Sequence, residues 1–177
     1  MKQPLDQQAH DVARLLISQQ QRIIFAESCT AGLVSAVLGR VPGVSGVHCG
    51  SAVVYRLDTK TKWLGVPPDI LVDPGPVSEC VARLMVEGVL ARTPEATMAA
   101  SITGHLGPGA PSAQDGLVYI GVGFRNKPAQ IFEHHLTNID AMTQFPGATL
   151  REQRQWAAAD LVLRETLKVL SSGASAS

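Results

Sequence analysis

Short apolar runs alternate with segments of helical periodicity along most of this 177-residue chain. Apolar runs of about five residues predict buried strands, and apolar residues at every third or fourth position predict helices. The predicted strands cover residues 22–26, 51–55, 96–102, 117–124 and 129–136, and the predicted helices cover 6–20, 33–38, 58–64, 79–89 and 149–170. The last two strands flank a short turn and predict an antiparallel hairpin. The alternation therefore predicts one α/β domain over residues 1–177, a three-layer α/β/α sandwich with a mixed, partly parallel sheet.

Composition excludes several classes of protein. Hydrophobic residues make up 45% of the chain, so it can bury a core, and disorder is expected only in the tail, residues 171–177. The formal net charge is zero, which argues against a nucleic-acid ligand because phosphate backbones need a cationic surface. No apolar run approaches 18 residues and the first ten residues are polar, so neither a membrane partner nor a signal peptide is expected. Three cysteines without a CxxC pair favour a reducing, cytoplasmic location and no zinc site.

Three loops are candidates for the functional site, because ligands of such sheets bind beyond the carboxyl ends of the strands. The loops cover residues 27–32, 41–50 and 103–116. In the first, Ser28 or Thr30 is predicted to cap the following helix. The free N–H groups of a helix N-terminus suit a phosphate or a developing oxyanion, and Gly32 permits close approach. Glu27 can act as a base or can satisfy backbone groups at the turn.

The second loop and the segment after it offer a nucleophile and a base. Ser45 lies in a glycine-containing turn, but no histidine has an obvious orienting context near it. Lys60 can act as the base, as lysine does in Ser-Lys variants of the catalytic triad. It must first be neutral, and lowering a lysine pKa towards 7 needs roughly 4–5 kcal/mol of differential solvation. The alternative is that Ser45 is a turn residue and Lys60 lies on a solvated helix.

The third loop begins at Thr103-Gly104, where a predicted strand ends, and further glycines follow. Its backbone N–H groups can bind a phosphate or a carbonyl oxygen, or the segment can be a plain surface loop. A cysteine amidase is a separate alternative, because Cys29 lies near a helix N-terminus where a thiol pKa can fall. No carboxylate-oriented histidine is identifiable for that reaction.

The segment 26–32, which reads AESCTAG, resembles the C-terminal domain of the competence-damage-inducible protein CinA, a family that includes nicotinamide-nucleotide amidases. Further matching segments follow in the family's order: VPGVS at 41–45, Tyr55 with Lys60, LGV at 64–66, GPVSE at 75–79, SITG at 101–104 and GP at 107–108. The resemblance covers residues 11–170. It implies hydrolysis of nicotinamide mononucleotide to nicotinic acid mononucleotide and ammonia in pyridine nucleotide recycling. It also implies a Ser-Lys mechanism without metal or cofactor.

The resemblance implies a role for each matching residue. The implied catalytic residues are Ser45, Lys60, Tyr55, Ser28 and Thr103. Ser45 would attack the amide and Lys60 would take its proton, while Ser28 is the alternative nucleophile. The substrate-binding residues predicted from the loops and the nearby cations are Glu27, Thr30, Gly32, Gly104, Arg151 and Arg154. Backbone N–H groups at the helix start near Thr30, or at Gly104, would stabilise the oxyanion.

This chain departs from the family pattern in three places. After residues 107–108 the family usually has Gly-Gly and then Lys-Pro-Val-Gly, whereas residues 109–116 read GAPSAQDG without a lysine. The usual Gly-Asp-Arg is replaced by GAT at 147–149, and Arg151 or Arg154 would have to compensate. His105-Leu106 stands where Ile-Ala is usual. Two alternatives follow: a catalytically silent paralogue that binds a nucleotide or a protein partner, and an amidase for a different, non-phosphorylated amide. A neutral, apolar chain is also compatible with a homodimer.

Overall fold

A single five-stranded sheet organises the structure, a computed structural model that describes residues 4–137 and 148–173. The strands are β1 (Ile23–Glu27), β2 (His48–Val53), β3 (Met98–Gly104), β4 (Leu117–Phe124) and β5 (Gln130–His135). The sheet order is β2-β1-β3-β4-β5. Strand β1 is parallel to β2 and β3, whereas β4 is antiparallel to β3 and β5. The mixed sheet and the terminal hairpin are therefore confirmed.

Helices cover both faces of the sheet. They are α1 (Pro4–Ser18), α2 (Leu33–Leu38), α3 (Leu57–Leu64), α4 (Pro68–Val72), α5 (Glu79–Arg92) and α6 (Leu150–Gly173). The side chains of Ile23 and Phe25 join the core beneath α1, α2 and α6, whereas those of Ile24 and Ala26 join the core beneath α3, α4 and α5. This alternation follows from the pleat of a strand and gives the predicted three layers. Within the two described ranges, no helix is both long and apolar enough to span a bilayer.

Several element boundaries differ from those predicted, and one helix was not predicted at all. Strand β2 begins at His48, three residues before the predicted start. Helix α4 was not predicted, because Pro67-Pro68 suggested that the chain stops being helical there. Pro68 instead occupies the first turn of α4, where the backbone N–H that proline lacks would have no partner within the helix. Helix α6 continues through Gly173, so the predicted tail is helical over its first three residues. Residues 174–177 of that tail lie outside the described part of the chain.

Side-chain hydrogen bonds cap the N-terminal ends of α5 and α6. The Ser78 hydroxyl accepts the Val81 N–H at 3.3 Å, as the sequence predicted for α5. At the start of α6, Glu152 Oε2 accepts the Thr149 N–H at 2.7 Å and Thr149 Oγ1 accepts the Glu152 N–H at 3.3 Å. This reciprocal pair is the predicted capping box. It fixes the helix end on which Arg151 lies.

Candidate active site

A cavity of about 310 Å³ lies beyond the carboxyl ends of β1, β2 and β3. The polar side chains that line it include Ser28, Tyr55, Lys60, Thr103, His105 and Arg151. Loops 27–32 and 103–116 both contribute to its wall. The position is the one expected for a ligand site in a sheet with parallel strands.

Lys60 and Ser28 form the central contact of this cavity. Lys60 Nζ lies 2.8 Å from Ser28 Oγ and donates a hydrogen bond to the Val54 carbonyl at 2.7 Å. Lys60 is only 2% exposed, because it shares the buried face of α3 with Leu64, one turn further on. Burial lowers the pKa of the Lys60 amine from 10.5 to about 8. No salt bridge within the described residues offsets this burial, so Lys60 is a buried amine without a counter-charge rather than a residue of a solvated helix.

The end of β1 sends two consecutive polar side chains to opposite faces of the sheet. Glu27, the last residue of β1, points to the α2 side, and Ser28 points to Lys60 on the α3 side. Successive side chains along an extended backbone alternate in this way. Of these two neighbouring residues, only Ser28 lies on the cavity wall, whereas Glu27 binds the start of α2.

Ser45 is not part of this cavity. It is exposed in a short 3₁₀ turn, Val44–Gly46, immediately before β2, whereas Lys60 lies on the helix that follows β2. The six residues of β2 separate the two ends by roughly 16–20 Å at about 3.3 Å per residue. A lysine side chain cannot reach across that distance. The predicted pairing of Ser45 with Lys60 is therefore wrong, and Ser28 takes that place.

Glu27 closes the N-terminus of α2 instead of binding a ligand. It is 1% exposed, and its carboxylate accepts five hydrogen bonds of 2.8–3.1 Å, from the N–H groups of Gly32, Val34 and Ser35 and from the hydroxyls of Thr30 and Ser51. The N-cap residue is Gly32, and no hydroxyl caps this helix. The predicted substrate-binding roles of Glu27, Thr30 and Gly32 are wrong, because these residues lie outside the cavity wall and their donors are already bound. The predicted hydroxyl cap by Ser28 or Thr30 is wrong as well.

Arg151 connects the segments that follow β2 and β3. Its Nη2 donates to the Tyr55 hydroxyl at 2.6 Å, and its Nη1 donates to the Gly107 carbonyl at 2.5 Å. Thr103 donates from Oγ1 to the Pro76 carbonyl at 2.7 Å and so holds a further part of the wall. Arg151, Tyr55 and Thr103 therefore lie together in the cavity, as predicted from the sequence.

Gly104 is placed on the cavity wall by close packing against β4. A Cβ atom at this position would overlap the Val118 side chain and would lie 2.8 Å from the Leu117 carbonyl oxygen. Only glycine allows β3 to end this close to its neighbour. Gly104 therefore reaches the cavity wall only because it carries no side chain to collide with β4.

Arg154 anchors a loop instead of facing the cavity. Its guanidinium forms two hydrogen bonds with Asp115, Nη1 to Oδ1 at 2.6 Å and Nη2 to Oδ2 at 2.8 Å. Further donors bind the carbonyls of Leu136 and Leu106. Arg154 is 4% exposed and lies outside the cavity lining, so its predicted role in substrate binding is wrong. The Arg154 guanidinium also lowers the pKa of the Asp115 carboxyl, which keeps the pair ionised.

Cys29 lines the same cavity but has the wrong protonation state for a nucleophile. Burial raises the pKa of its thiol to about 12, so the thiolate is not populated near neutral pH. The alternative of a cysteine amidase therefore loses support. Among the residues that the structure describes, no cluster of three histidine, cysteine or acidic side chains could hold a metal ion.

No role was predicted from the sequence for His105, which lies in a candidate loop, or for Pro76. His105 follows Thr103 by two residues, and this spacing puts both on one face of a strand, which was the available signal. Pro76 contributes through its carbonyl bond to Thr103. Backbone contacts of this kind depend on tertiary structure and leave no residue pattern.

Comparison with known proteins places the chain in a family. A family model described as the CinA C-terminal domain matches residues 5–152. The chain belongs to the CinA C-terminal domain family. A provisionally named competence-damage inducible protein of Alkaliphilus oremlandii is 41% identical over 113 residues, which cover 63% of this chain and 27% of that protein. A CinA-like protein of Leptospira borgpetersenii serovar Hardjo-bovis is 35% identical over 144 residues, which cover 80% of this chain and 32% of that protein.

The fold also matches solved structures of this family. The crystal structure of the competence/damage inducible protein CihA from Agrobacterium tumefaciens is 29% identical, with a TM-score of 0.83 over 97% of this chain and 98% of that one. The family suggested by the sequence motifs is therefore confirmed. The chain spans about a quarter to a third of the length of the curated relatives it matches.

Proposed function

We propose that this CinA C-terminal domain is a serine amidohydrolase that deamidates nicotinamide mononucleotide to nicotinic acid mononucleotide and ammonia. The observation that supports this most is the 2.8 Å contact between Lys60 Nζ and Ser28 Oγ, together with a pKa of about 8 for the buried Lys60 amine. A lysine in this state is neutral in a sizeable fraction of molecules near pH 7–8. It can therefore act as a general base for the hydroxyl beside it.

The first half of the reaction forms an ester. The neutral Lys60 amine takes the Ser28 proton as Oγ attacks the amide carbon, which gives a tetrahedral oxyanion. The ammonium form of Lys60 then gives that proton to the leaving nitrogen, and ammonia departs as the C–N bond breaks. The Val54 carbonyl holds Nζ in place throughout, since it accepts a separate hydrogen bond from the same amine.

The second half releases the acid. Lys60 takes a proton from water, the hydroxide attacks the ester carbon, and the proton returns to Ser28 Oγ as the C–O bond breaks. The backbone N–H groups of Cys29 and Gly104 are the proposed oxyanion donors, because both residues lie on the cavity wall. The N–H groups at the start of α2 are unsuitable, since Glu27 already binds three of them.

The charge of the cavity supports an anionic substrate. The Arg151 guanidinium lines it, and no carboxylate does so in the part of the chain that the structure describes. Arg151 lies at the N-terminal end of α6, where the helix dipole also favours a negative group. A phosphate monoester would therefore bind towards Arg151 while the amide lies at Ser28.

One observation favours a second candidate function. Arg154 is bound to Asp115 and cannot also hold a phosphate, so this domain has fewer free cations than its sequence suggests. An amidase for a non-phosphorylated amide would need only the pair of Ser28 and Lys60. Nicotinamide riboside and nicotinamide are the compounds that separate this candidate from the first.

Ammonia release from nicotinamide mononucleotide tests the proposal. We expect turnover by the unmodified domain, a loss of about 10³-fold or more in Ser28→Ala and Lys60→Ala, and a change of less than about twofold in Ser45→Ala. Ser45→Ala is the matched control, because it removes an exposed hydroxyl outside the cavity. The proposal fails if the unmodified domain releases no ammonia, or if Ser45→Ala and not Ser28→Ala abolishes release. Tight nucleotide binding without turnover would instead indicate a silent paralogue.

A further inference from the structure

The loop between β3 and β4 has lost its ordinary sources of positive charge. Residues 104–116 contain neither lysine nor arginine. The nearby cation, Arg154, is held by the loop's own Asp115. His105 is the only basic residue that this loop contributes to the cavity.

The position of His105 is set by strand pairing rather than by a free loop. Its backbone N–H donates to the Leu117 carbonyl at 2.9 Å, and its carbonyl accepts the Gly116 N–H at 2.9 Å. It continues the face of β3 on which Thr103 lies, so its side chain is directed to the cavity side. The imidazole makes no hydrogen bond or ion pair with another described residue. Its donors therefore remain available to a ligand.

The groups that face His105 leave the cavity net positive. From the other walls these are the Cys29 thiol, the Tyr55 hydroxyl, the Lys60 amine and the Arg151 guanidinium. On the sheet face beside it are Tyr119, Glu133 and His135, with Glu79 at the start of α5. Glu133 accepts the Tyr119 hydroxyl at 2.8 Å and lies 3.5 Å from His135, and Glu79 pairs with Arg83 at 2.6 Å. The neighbouring carboxylates are thus already partnered.

We propose that His105 and Arg151 together bind the phosphate monoester of the substrate, and that His105 sets the preference for a phosphorylated over a non-phosphorylated amide. The proposal rests on the proposed function and specifies its phosphate subsite. A phosphate monoester has a charge of about −1.5 to −2 near pH 7 and needs more than one cation. Two Arg151 donors are already bound to Tyr55 and Gly107, so a second residue must share the phosphate oxygens. His105 lies on the cavity wall and its imidazole N–H can donate to those oxygens.

Calorimetry with ribose 5-phosphate and with ribose tests the subsite without requiring turnover. At pH 6.5 we expect His105→Gln to raise the ratio of the Kd for ribose 5-phosphate to the Kd for ribose about tenfold. His105→Lys should retain the affinity, because it keeps an N–H donor in the same place. Ser112→Ala, an exposed change in the same loop, is the matched control. Equal affinities for ribose 5-phosphate in His105→Gln and the unmodified domain would overturn the proposal.

Kinetics separate this inference from the proposed function. The ratio of kcat/KM for nicotinamide mononucleotide to that for nicotinamide riboside should fall about tenfold in His105→Gln, mainly through KM. Ammonia release with an unchanged ratio in His105→Gln overturns this inference alone. Phosphate binding that depends on His105, but without ammonia release, overturns the proposed function alone.

Discussion

Lys60 and Arg154 are both buried cations close to the cavity, but they have opposite kinds of neighbour. Lys60 is 2% exposed and contacts a hydroxyl and a carbonyl, with no carboxylate bound to it in the described residues. Arg154 is 4% exposed and forms two charged hydrogen bonds with Asp115. Burial without a counter-charge lowers the pKa of Lys60 to about 8, whereas the hydrogen bonds with Asp115 raise the pKa of Arg154 above its usual value.

The comparison shows how one fold uses buried charge in two ways. An unpaired buried amine can lose its proton and so becomes a base near neutral pH. A guanidinium held by a carboxylate stays charged and fixes the geometry of the residues that it bridges. The presence or absence of one carboxylate therefore distinguishes the proposed catalytic amine of Lys60 from the structural guanidinium of Arg154.

Replacing Lys60 by arginine should give the largest effect. Lys60→Arg keeps the positive charge but removes the ability to accept a proton, so we expect kcat for ammonia release to fall by about 10³-fold or more. Lys62→Arg is the matched control, because its side chain is 72% exposed on the same helix. Retention of activity within about tenfold in Lys60→Arg would show that the charge, and not the proton transfer, matters.

The pH dependence of kcat should show the unusual state of Lys60. As pH rises through the Lys60 pKa of about 8, the amine loses its proton and becomes competent as a base. We therefore expect kcat to rise about tenfold per pH unit well below pH 8 and to level off above it. Steady-state rates at saturating substrate between pH 6 and 9.5 measure this. A flat profile over pH 6–8 would contradict the assignment of Lys60 as the base.

Replacing Arg154 should lower the stability of the fold and should have the smallest effect on turnover of the three changes. Arg154→Met loses two charged hydrogen bonds within the fold, so we expect Tm to fall by about 5–10 °C. Arg14→Met should leave Tm within about 2 °C, because the ion pair of Arg14 with Asp11 is exposed. Thermal unfolding followed by circular dichroism measures both. An unchanged Tm in Arg154→Met would remove the structural role proposed for this pair.

Much of the fold was predictable from local patterns. Apolar periodicity predicted all five strands and five of the six helices, and the hydroxyl of Ser78 and the Thr149–Glu152 pair marked helix starts that the structure confirms. Helix α4 was missed because two prolines suggested a turn, although the second of them fits a first helical turn.

The pairing of site residues was less predictable. Ser45 and Lys60 are closer in sequence than Ser28 and Lys60, but β2 lies between the first two and places them at opposite ends of the sheet. Arg151 and Arg154 are one helical turn apart, and only one of them faces the cavity. In each case the residue types were correctly identified as candidates, and three-dimensional position decided which of them is used.

The sequence by itself determined the alternation of strands and helices, the mixed sheet, and the presence of a hydroxyl and a lysine in segments that follow the parallel strands. Those features depend on local periodicity, which a linear chain records directly. The tertiary structure alone decided that Ser28 meets Lys60, that Glu27 closes α2 and that Asp115 binds Arg154. These contacts, and the burial that lowers the Lys60 pKa, depend on which distant segments pack together, because solvation and charge act through space and not along the chain.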